Sequence, residues 1–445
     1  MKLKHLTLFT LLITTQSWGS VKAYFNYNQS ASYTDPYRKI ARPGDNLEQV
    51  ILTQIASAKK TIYLAVQELR LPLVAKALAA KKAQGVDVRV VLEHDYNFTV
   101  IDQRQGQDNE HEATRLTDLI ALVDTNRDGR ASKVELEAND AVYILRAAGI
   151  PVIDDTSDGS SGSGLMHHKF MIVDGKSVLV SSANFTLSCI HGDILAPATR
   201  GNANSMMVLN SVAAADIFTE EFAQLWGNGK RGNFGHSKTY RGAQSVMVGG
   251  SRVTIQFSPT SQRYQWSETT NGLMAKYLNA AKQTIAAALF VYTDQKLSNV
   301  IEARSNAGVR TGFLVDAKFA FRDYSELLDM AGLAMYNQKC NYEPDNKPWK
   351  KPAAEIGVPQ LPRGDMLHHK FAVVDNRYTI MGSQNWSDAA NYVNDEFSVV
   401  VENPTISAQY TKEYLRLRST SRMGVPATVQ NEIKRLNEAC VGRAF

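Results

Sequence analysis

Cysteine is scarce: Cys189, Cys340 and Cys440 are the only three in 445 residues, which excludes a disulfide-stapled scaffold. Thirteen prolines and 28 glycines are too few for a collagen-like or low-complexity chain. Neither charge sign dominates. The 49 Lys and Arg exceed the 44 Asp and Glu by five, a mild excess that makes no general case for binding nucleic acid. Beyond the first two dozen residues no apolar run approaches the roughly 20 residues that a membrane-spanning helix needs. What the chain does have is length and a 44% hydrophobic content, enough to bury a sizeable core, so wholesale disorder is excluded too.

The first residues read MKLKHLTLFTLLITTQSWGSVKA. Lys2 and Lys4 make a short positive region, and residues 6–14 form an apolar run too short to span a bilayer. Val21 and Ala23 put small residues at the −3 and −1 positions of a cleavage site. The pattern predicts a signal peptide over residues 1–23 and a secreted or periplasmic protein, in an oxidising compartment. Cleavage after Ala23 removes Lys2, Lys4 and Lys22 and no acid, so the net charge falls from +5 to +2. An odd cysteine count leaves a thiol unpaired in a monomer; a Cys340–Cys440 bridge is one pairing left open.

The chain repeats itself. Residues 58–62 read AKKTI and residues 281–285 AKQTI, an offset of 223 that Gly85-Val86 and Gly308-Val309 share. Each copy has an apolar run, a helical stretch, then Gly-Val and a second apolar run. That is a strand–helix–strand unit and predicts a parallel-type α/β sheet in each half. Later come MHHKFMIVD (166–174) and LHHKFAVVD (367–375). Gly85 to His167 is 82 residues and Gly308 to His368 is 60, so the first copy carries about 22 more. The expected halves are 24–227, with an insertion near 110–147, and 252–418. Between them 228–251, rich in Gly and basic residues, reads as an exposed linker, and 419–445 as a tail.

Written out, the first motif is His167-x-Lys169-x4-Asp174-x6-Ser181-Ser182-x-Asn184 and the second His368-x-Lys370-x4-Asp375-x6-Gly382-Ser383-x-Asn385. FMIV and FAVV are continuous apolar runs, hence buried strands. On a strand the His and Lys of each motif share a face, while His168 and His369 point the other way and read as packing residues. Each copy thus offers an imidazole beside an ammonium at a strand entrance. The Ser and Asn that follow lie at a strand-to-helix turn suited to an anion.

These segments resemble the paired HKD motifs of the phospholipase D superfamily, and the resemblance runs through both repeats. It implies two pseudo-twofold-related phospholipase D-like α/β sandwich halves packed around one shared active site. It also implies a phosphodiesterase: one imidazole attacks phosphorus to form a phosphohistidine, and the other protonates the leaving oxygen and then activates water. Lys169 and Lys370, with Ser182, Asn184, Ser383 and Asn385, would meet the phosphoryl charge, and no metal is needed for catalysis. By resemblance His167 is the nucleophile and His368 the general acid/base, although pseudo-symmetry allows the reverse. Asp174 and Asp375 complete the motifs and read as buried network residues. Two departures stand out. Ser181 replaces the usual Gly. In the second copy Glu396 stands where the family places a carboxylate that orients a catalytic His, whereas the first copy has Asn204 there. Glu396 is therefore expected to serve His368 and favour its charged form, leaving Asn204 or a loop acid such as Asp193 for His167.

Residues 124–135, DTNRDGRASKVE, place Asp124, Asn126, Asp128, Ser132 and Glu135 at positions 1, 3, 5, 9 and 12 of an EF-hand loop, with Gly129 at 6 and the Arg130 carbonyl at 7. Helical patterns flank it. The spacing predicts one structural Ca2+ site, the alternative being a solvated Asp/Asn-rich turn. The substrate is harder to read. Export and near-neutral charge favour phospholipid headgroups. A nuclease reading leans on Lys230, Arg231, Lys238 and Arg241 and on Arg416, Arg418, Arg422, Lys434 and Arg435. A non-catalytic anion-binding protein is disfavoured by the complete His and Lys sets. Both motifs lie in one chain, so a monomer is expected to hold a complete site.

Overall fold

The computed structural model describes residues 19–102, 110–160 and 162–440. Most of the expected leader, residues 1–18, lies outside them. After β1 (Ser20–Phe25) a small hairpin, β2 (Ser32–Thr34) and β3 (Ala41–Pro43), stands apart. Then come β4 (Thr61–Val66), β5 (Asp87–Leu92), β6 (Val152–Asp154), β7 (Lys169–Val173), β8 (Ser177–Ser181) and β9 (Ser205–Asn210). With β1 they make a seven-stranded sheet in the order β1-β9-β8-β7-β4-β5-β6. The second half supplies β10 (Gln244–Val248), β11 (Ser251–Ser258), β12 (Thr284–Leu289), β13 (Arg310–Val315), β14 (Glu355–Pro359), β15 (Lys370–Val374), β16 (Tyr378–Gly382), β17 (Glu396–Glu402) and β18 (Ser421–Met423). Their order is β10-β11-β17-β16-β15-β12-β13-β14-β18.

Each sheet is mixed, not parallel throughout. β4, β5 and β6 run parallel, as do β12, β13 and β14, but the motif strands β7 and β15 pair antiparallel to β4 and β12. The parallel part is the strand–helix–strand unit the repeat predicts. Its helices, Pro72–Ala83 and Gln295–Asn306, both end before a glycine at positive φ, Gly85 (+86°) and Gly308 (+91°). A residue with no Cβ closes the helix there, which is why Gly-Val recurs.

The sheets face one another across a shared apolar core holding Phe170, Phe218, Phe257, Phe371, Phe397 and Tyr410. Helix Val212–Trp226 contacts β7, β8 and β9 on one side and β10 and β11 on the other; helix Pro404–Ser419 lies against β15 and β16 and reaches β1. The outer face of each sheet has its own core, one built on Ile51, Leu64 and Val90, the other on Leu289, Phe313 and Trp386. The result is a layered α/β fold of two similar halves.

Three expected boundaries need correction. Ser20–Ala23 are four of the six residues of β1, each paired with β9, so a cut after Ala23 would remove most of an edge strand. Residues 228–251 are not an exposed linker throughout: β10 lies within them, and Lys238 is buried against Glu221 and Asp395. Residues 419–440 of the expected tail are no loose segment: β18 pairs with β14, and helix Ala427–Cys440 is tied by a Cys340–Cys440 disulfide, leaving Cys189 buried and free. The extra length of the first copy falls where expected, in helices Glu110–Val123 and Lys133–Asn139 of the β5-to-β6 crossover. Among the described residues no helix is long and apolar enough to cross a membrane.

Candidate active site

The segment before each motif pairs with the other half. His167 N–H donates to Asp395 O at 2.9 Å and Asp395 N–H to Leu165 O at 2.8 Å; His368 N–H donates to Ala203 O at 3.0 Å and Ala203 N–H to Met366 O at 2.8 Å. These two backbone bridges, Met166 with Asp395 and Ala203 with Leu367, are pseudo-twofold counterparts. Each draws the lead-in to the last long strand of one half against the motif of the other.

The side chains follow the backbone across the interface. Glu396 Oε2 lies 2.7 Å from His167 Nδ1, and Asn204 Oδ1 lies 3.0 Å from His368 Nδ1. The expected assignment is therefore reversed. Glu396 serves His167, Asn204 serves His368, and Asp193 touches neither ring. With Glu396 ionised, its carboxylate only accepts, so His167 carries its proton on Nδ1 and leaves Nε2 with a lone pair. Asn204 dictates the same tautomer to His368. Its Nδ2 donates to Cys189 O and Asn202 O, both at 3.0 Å, which fixes Oδ1 as the acceptor. Lys169 Nζ donates to His167 O at 2.9 Å and to Gln67 Oε1 at 3.3 Å; Lys370 Nζ donates to His368 O at 2.9 Å.

All of these groups are nearly or fully enclosed, each histidine being 7% exposed. Burial, then the charges of Lys169 and Lys370, holds both catalytic-candidate imidazoles well below their ordinary range. Burial brings Lys169 down to about 8; burial and then Lys169 push Lys370 well down. Burial lifts the Glu396 carboxyl to about 7. A neutral His167 imidazole flanked by two ammonium groups suits attack on an anionic phosphorus centre, while a general acid at His368 has to carry a second proton.

The turn residues gather as expected. Ser182 Oγ donates to Asn204 Oδ1 at 2.8 Å, and Ser383 Oγ accepts from Phe397 N–H at 3.1 Å. Asn184 Oδ1 and Asn385 Oδ1, counterparts in the two turns, are buried without a hydrogen-bond partner. At the Gly position, a Cβ on Gly382 would come within 2.2 Å of Phe397 O, whereas Ser181 folds its Oγ back to accept from Ala183 N–H at 2.8 Å. The serine changes the turn locally and leaves Ser182 and Asn184 in place.

Asp174 and Asp375 do not belong to the site. They close the far ends of β7 and β15 and are half-buried; their carboxylates accept from the backbone N–H groups of residues 59–61 and 282–284. They fix the turns into β4 and β12. His168 and His369 face away, on Glu221 and Glu413. Two pairs escaped notice although they share the 223-residue offset. Gln67 meets Lys169, whereas its counterpart Phe290 packs against His368 at a tilt of 60°, with Lys370 Nζ 4.9 Å from the phenyl centroid. Glu93 accepts from Met166 N–H at 2.5 Å and Asp316 from Leu367 N–H at 2.8 Å, each holding the residue before a motif histidine.

In the loop at 124–135, Gly129 has φ +81° and donates its N–H to Asp124 Oδ2 at 2.9 Å. Asn126 Oδ1 accepts from Asp128 N–H, and Asp128 Oδ1 from Arg130 N–H, both at 2.8 Å. Ser132 caps the following helix, and Glu135 turns back to accept from Ser132, Thr125 and Asn126. Asp124 Oδ1 is buried with no hydrogen-bond donor. The oxygens and the bend fit a calcium loop.

The chain matches the family described as "Cardiolipin synthase, PLD-like domain" over residues 51–226 and 274–418. A mitochondrial cardiolipin hydrolase of Chlamydomonas reinhardtii is 27% identical over 160 residues, 35% of this chain and 61% of that protein. The human mitochondrial cardiolipin hydrolase is 24% identical over 153 residues, 34% of this chain and 51% of its own length. The chain thus spans about half to three fifths of these curated relatives. Among solved structures, a phosphatidylserine synthase of Haemophilus influenzae covers 95% of this chain and 96% of its own, with a TM-score of 0.57 and 12% identity. That likeness shows the fold.

Proposed function

The chain belongs to the phospholipase D-like family, and from that premise we propose that it is an exported phosphodiesterase that hydrolyses phospholipid headgroups through a phosphohistidine. The observation that carries the reading is the crossed pairing of His167 with Glu396 and His368 with Asn204 at the interface of the halves. His167 Nε2 attacks phosphorus, and the P–O bond to the headgroup alcohol breaks as His368, which enters this step as the imidazolium with a proton on each nitrogen, gives its Nε2 proton to the leaving oxygen. Water then attacks with His368 as base, the P–N bond breaks, and the electron pair returns to His167. Glu396 stabilises the positive charge that builds on His167, which favours that histidine as nucleophile. Lys169 and Lys370 face the phosphoryl oxygens.

Lipid is favoured over nucleic acid because six of the nine basic side chains that suggested a nucleic-acid surface are tied in ion pairs. Lys238 pairs with Glu221 and Asp395, Arg241 with Glu220 and Glu221, Arg416 with Glu413, Arg418 with Glu355, Lys434 with Glu438 and Arg435 with Glu432. A nuclease would keep the same chemistry. Export is supported by the disulfide, and cleavage after Gly19, with Ser17 at −3, would leave β1 whole. The loop at 124–135 is proposed to hold Ca2+ for stability, through Asp124, Asn126, Asp128, the Arg130 carbonyl, Ser132 and Glu135.

The test is a panel: phosphatidylcholine and cardiolipin vesicles, plasmid DNA and bis(4-nitrophenyl) phosphate, with wild type, His167→Ala and His368→Ala. Hydrolysis of a vesicle lipid, lost in both variants, is expected, with an acid-labile phosphoryl label on His167 after rapid quench. Cleavage of DNA alone would establish the nuclease; a tenth of wild-type turnover in either folded variant would overturn the two-histidine mechanism.

A further inference from the structure

Parallel strands β5 and β6 end side by side, and open α/β sheets bind ligands beyond the carboxyl ends of their strands. The residues just past these ends are Glu93 and Asp155, both 0% exposed. His94 follows Glu93 and turns its ring back over them. Its Nδ1 lies 2.8 Å from Glu93 Oε1 and 3.0 Å from Asp155 Oδ1, and the three ligand atoms all fall within 4.8 Å of one another. Glu93 Oε1 is buried and has no hydrogen-bond donor.

We propose that Glu93, His94 and Asp155 form a zinc-type divalent metal site, separate from the calcium loop and from the catalytic histidines. Two buried carboxylates and one imidazole carry the charge that a divalent ion balances, and a mixed nitrogen and oxygen set suits Zn2+ better than Ca2+ or Mg2+. The spacings to Nδ1 approach ~3.3 Å, the edge of a tetrahedron with bonds of about 2.0 Å.

The atoms around the cluster are arranged as a metal's outer shell is. The other nitrogen of His94, Nε2, faces Asp95 Oδ1 at 3.3 Å. The other oxygen of Glu93 accepts from Met166 N–H at 2.5 Å, and that of Asp155 from Ser163 N–H at 2.8 Å. Each proposed ligand is thus oriented through its remote atom; the near atom of Asp155, Oδ1, also accepts from the His94 backbone N–H at 3.0 Å and keeps its second lone pair for the ion. Gly162 closes the cluster: a Cβ there would meet Asp155 Oδ2 at 2.5 Å and the His94 ring at 3.1 Å. Partly exposed His94, 26% open, and the adjoining cavity lined by Tyr96 and Asp95 give an approach for the ion and room for water as a further ligand. Because Met166 and Ser163 hang from the two carboxylates, the ion would clamp the segment leading into His167.

The test uses the full chain carrying Glu135→Gln, so that the calcium loop does not report. After treatment with chelator and dialysis, Zn2+ is titrated by calorimetry, with Co2+ absorbance as a second probe. One Zn2+ per chain is expected at low-micromolar affinity or tighter, weakened more than about tenfold by His94→Ala. Zinc should slow proteolysis within 154–164, and x-ray absorption of the loaded protein should show one imidazole with otherwise oxygen ligands. No uptake by the folded protein would overturn the site, since His94 would then be only a protonated bridge between the carboxylates. Uptake unaffected by His94→Ala in a folded variant would do the same. Should that variant not fold, the absorption ligand set of the His94 protein decides: sulfur or two imidazoles refutes the assignment.

Discussion

Replacing Glu396 by Gln should slow the first chemical step and spare the second histidine. Glu396 is 0% exposed and its Oε2 lies 2.7 Å from His167 Nδ1. Gln is near-isosteric, and its amide oxygen can accept the same Nδ1–H, so the tautomer survives. What is lost is the negative charge opposite an imidazole that becomes cationic as its Nε2 bonds to phosphorus. A hydrogen bond to a charged group contributes about 1.5–3 kcal/mol. At 1.36 kcal/mol per factor of ten, the first-turnover rate should fall roughly ten- to 150-fold. The assay is the rapid-mixing burst with two substrates, bis(4-nitrophenyl) phosphate, which needs little acid assistance, and a choline phosphodiester, which needs much. If Glu396 supports the nucleophile, both bursts slow by a similar factor. If the nitrophenyl burst stays within about twofold of wild type while the choline ester collapses, Glu396 serves the acid, and the roles of His167 and His368 are the reverse of those proposed.

Asn204→Asp puts a carboxylate 3.0 Å from His368 Nδ1 and should raise that imidazole's pKa, moving the alkaline limb of kcat/KM for poor leaving groups to higher pH; an unmoved limb would show that His368 is not the acid. Burial holds Lys169 at about 8, and an oxyanion beside it raises that value, so binding takes up a proton above pH 8. Tungstate affinity should therefore weaken as pH rises above 8, by up to about tenfold per pH unit for the proton on Lys169; calorimetry showing no change from pH 7 to 9.5 would refute this. Ca2+ added to chelator-treated protein should raise Tm, by a stabilisation of about 2.7 kcal/mol at one hundred times Kd, and Glu135→Gln should erase the shift. Low-temperature turnover should be the same with and without Ca2+, because Lys169 and Lys370 already face the phosphate; calcium-dependent turnover at constant circular dichroism would make the ion catalytic.

Local patterns carried much of the molecule. The 223-residue offset exposed both halves, because a strand–helix–strand unit closed by a left-handed glycine writes its period and its Gly85 or Gly308 into the chain. The same offset held Gln67 with Phe290 and Glu93 with Asp316, legible had every position been compared. The motif spacings placed His167, Lys169, His368 and Lys370, since alternation along a strand decides which side chains share a face. The turn at 124–135 was conspicuous because its Asp, Asn, Gly, Ser and Glu recur within twelve residues. Nothing local told whether Glu396 would meet the histidine of its own half or the other. Pseudo-symmetry makes the two equivalent in sequence, and the choice is made by bridges between Met166 and Asp395 and between Ala203 and Leu367, more than 160 residues apart. The same limit explains β1, whose residues look like a cleavage site until β9 pairs with them, and Lys238, which looks solvated until Glu221 and Asp395 close on it. Sequence determined what each half could offer; contact between the halves decided which group serves which.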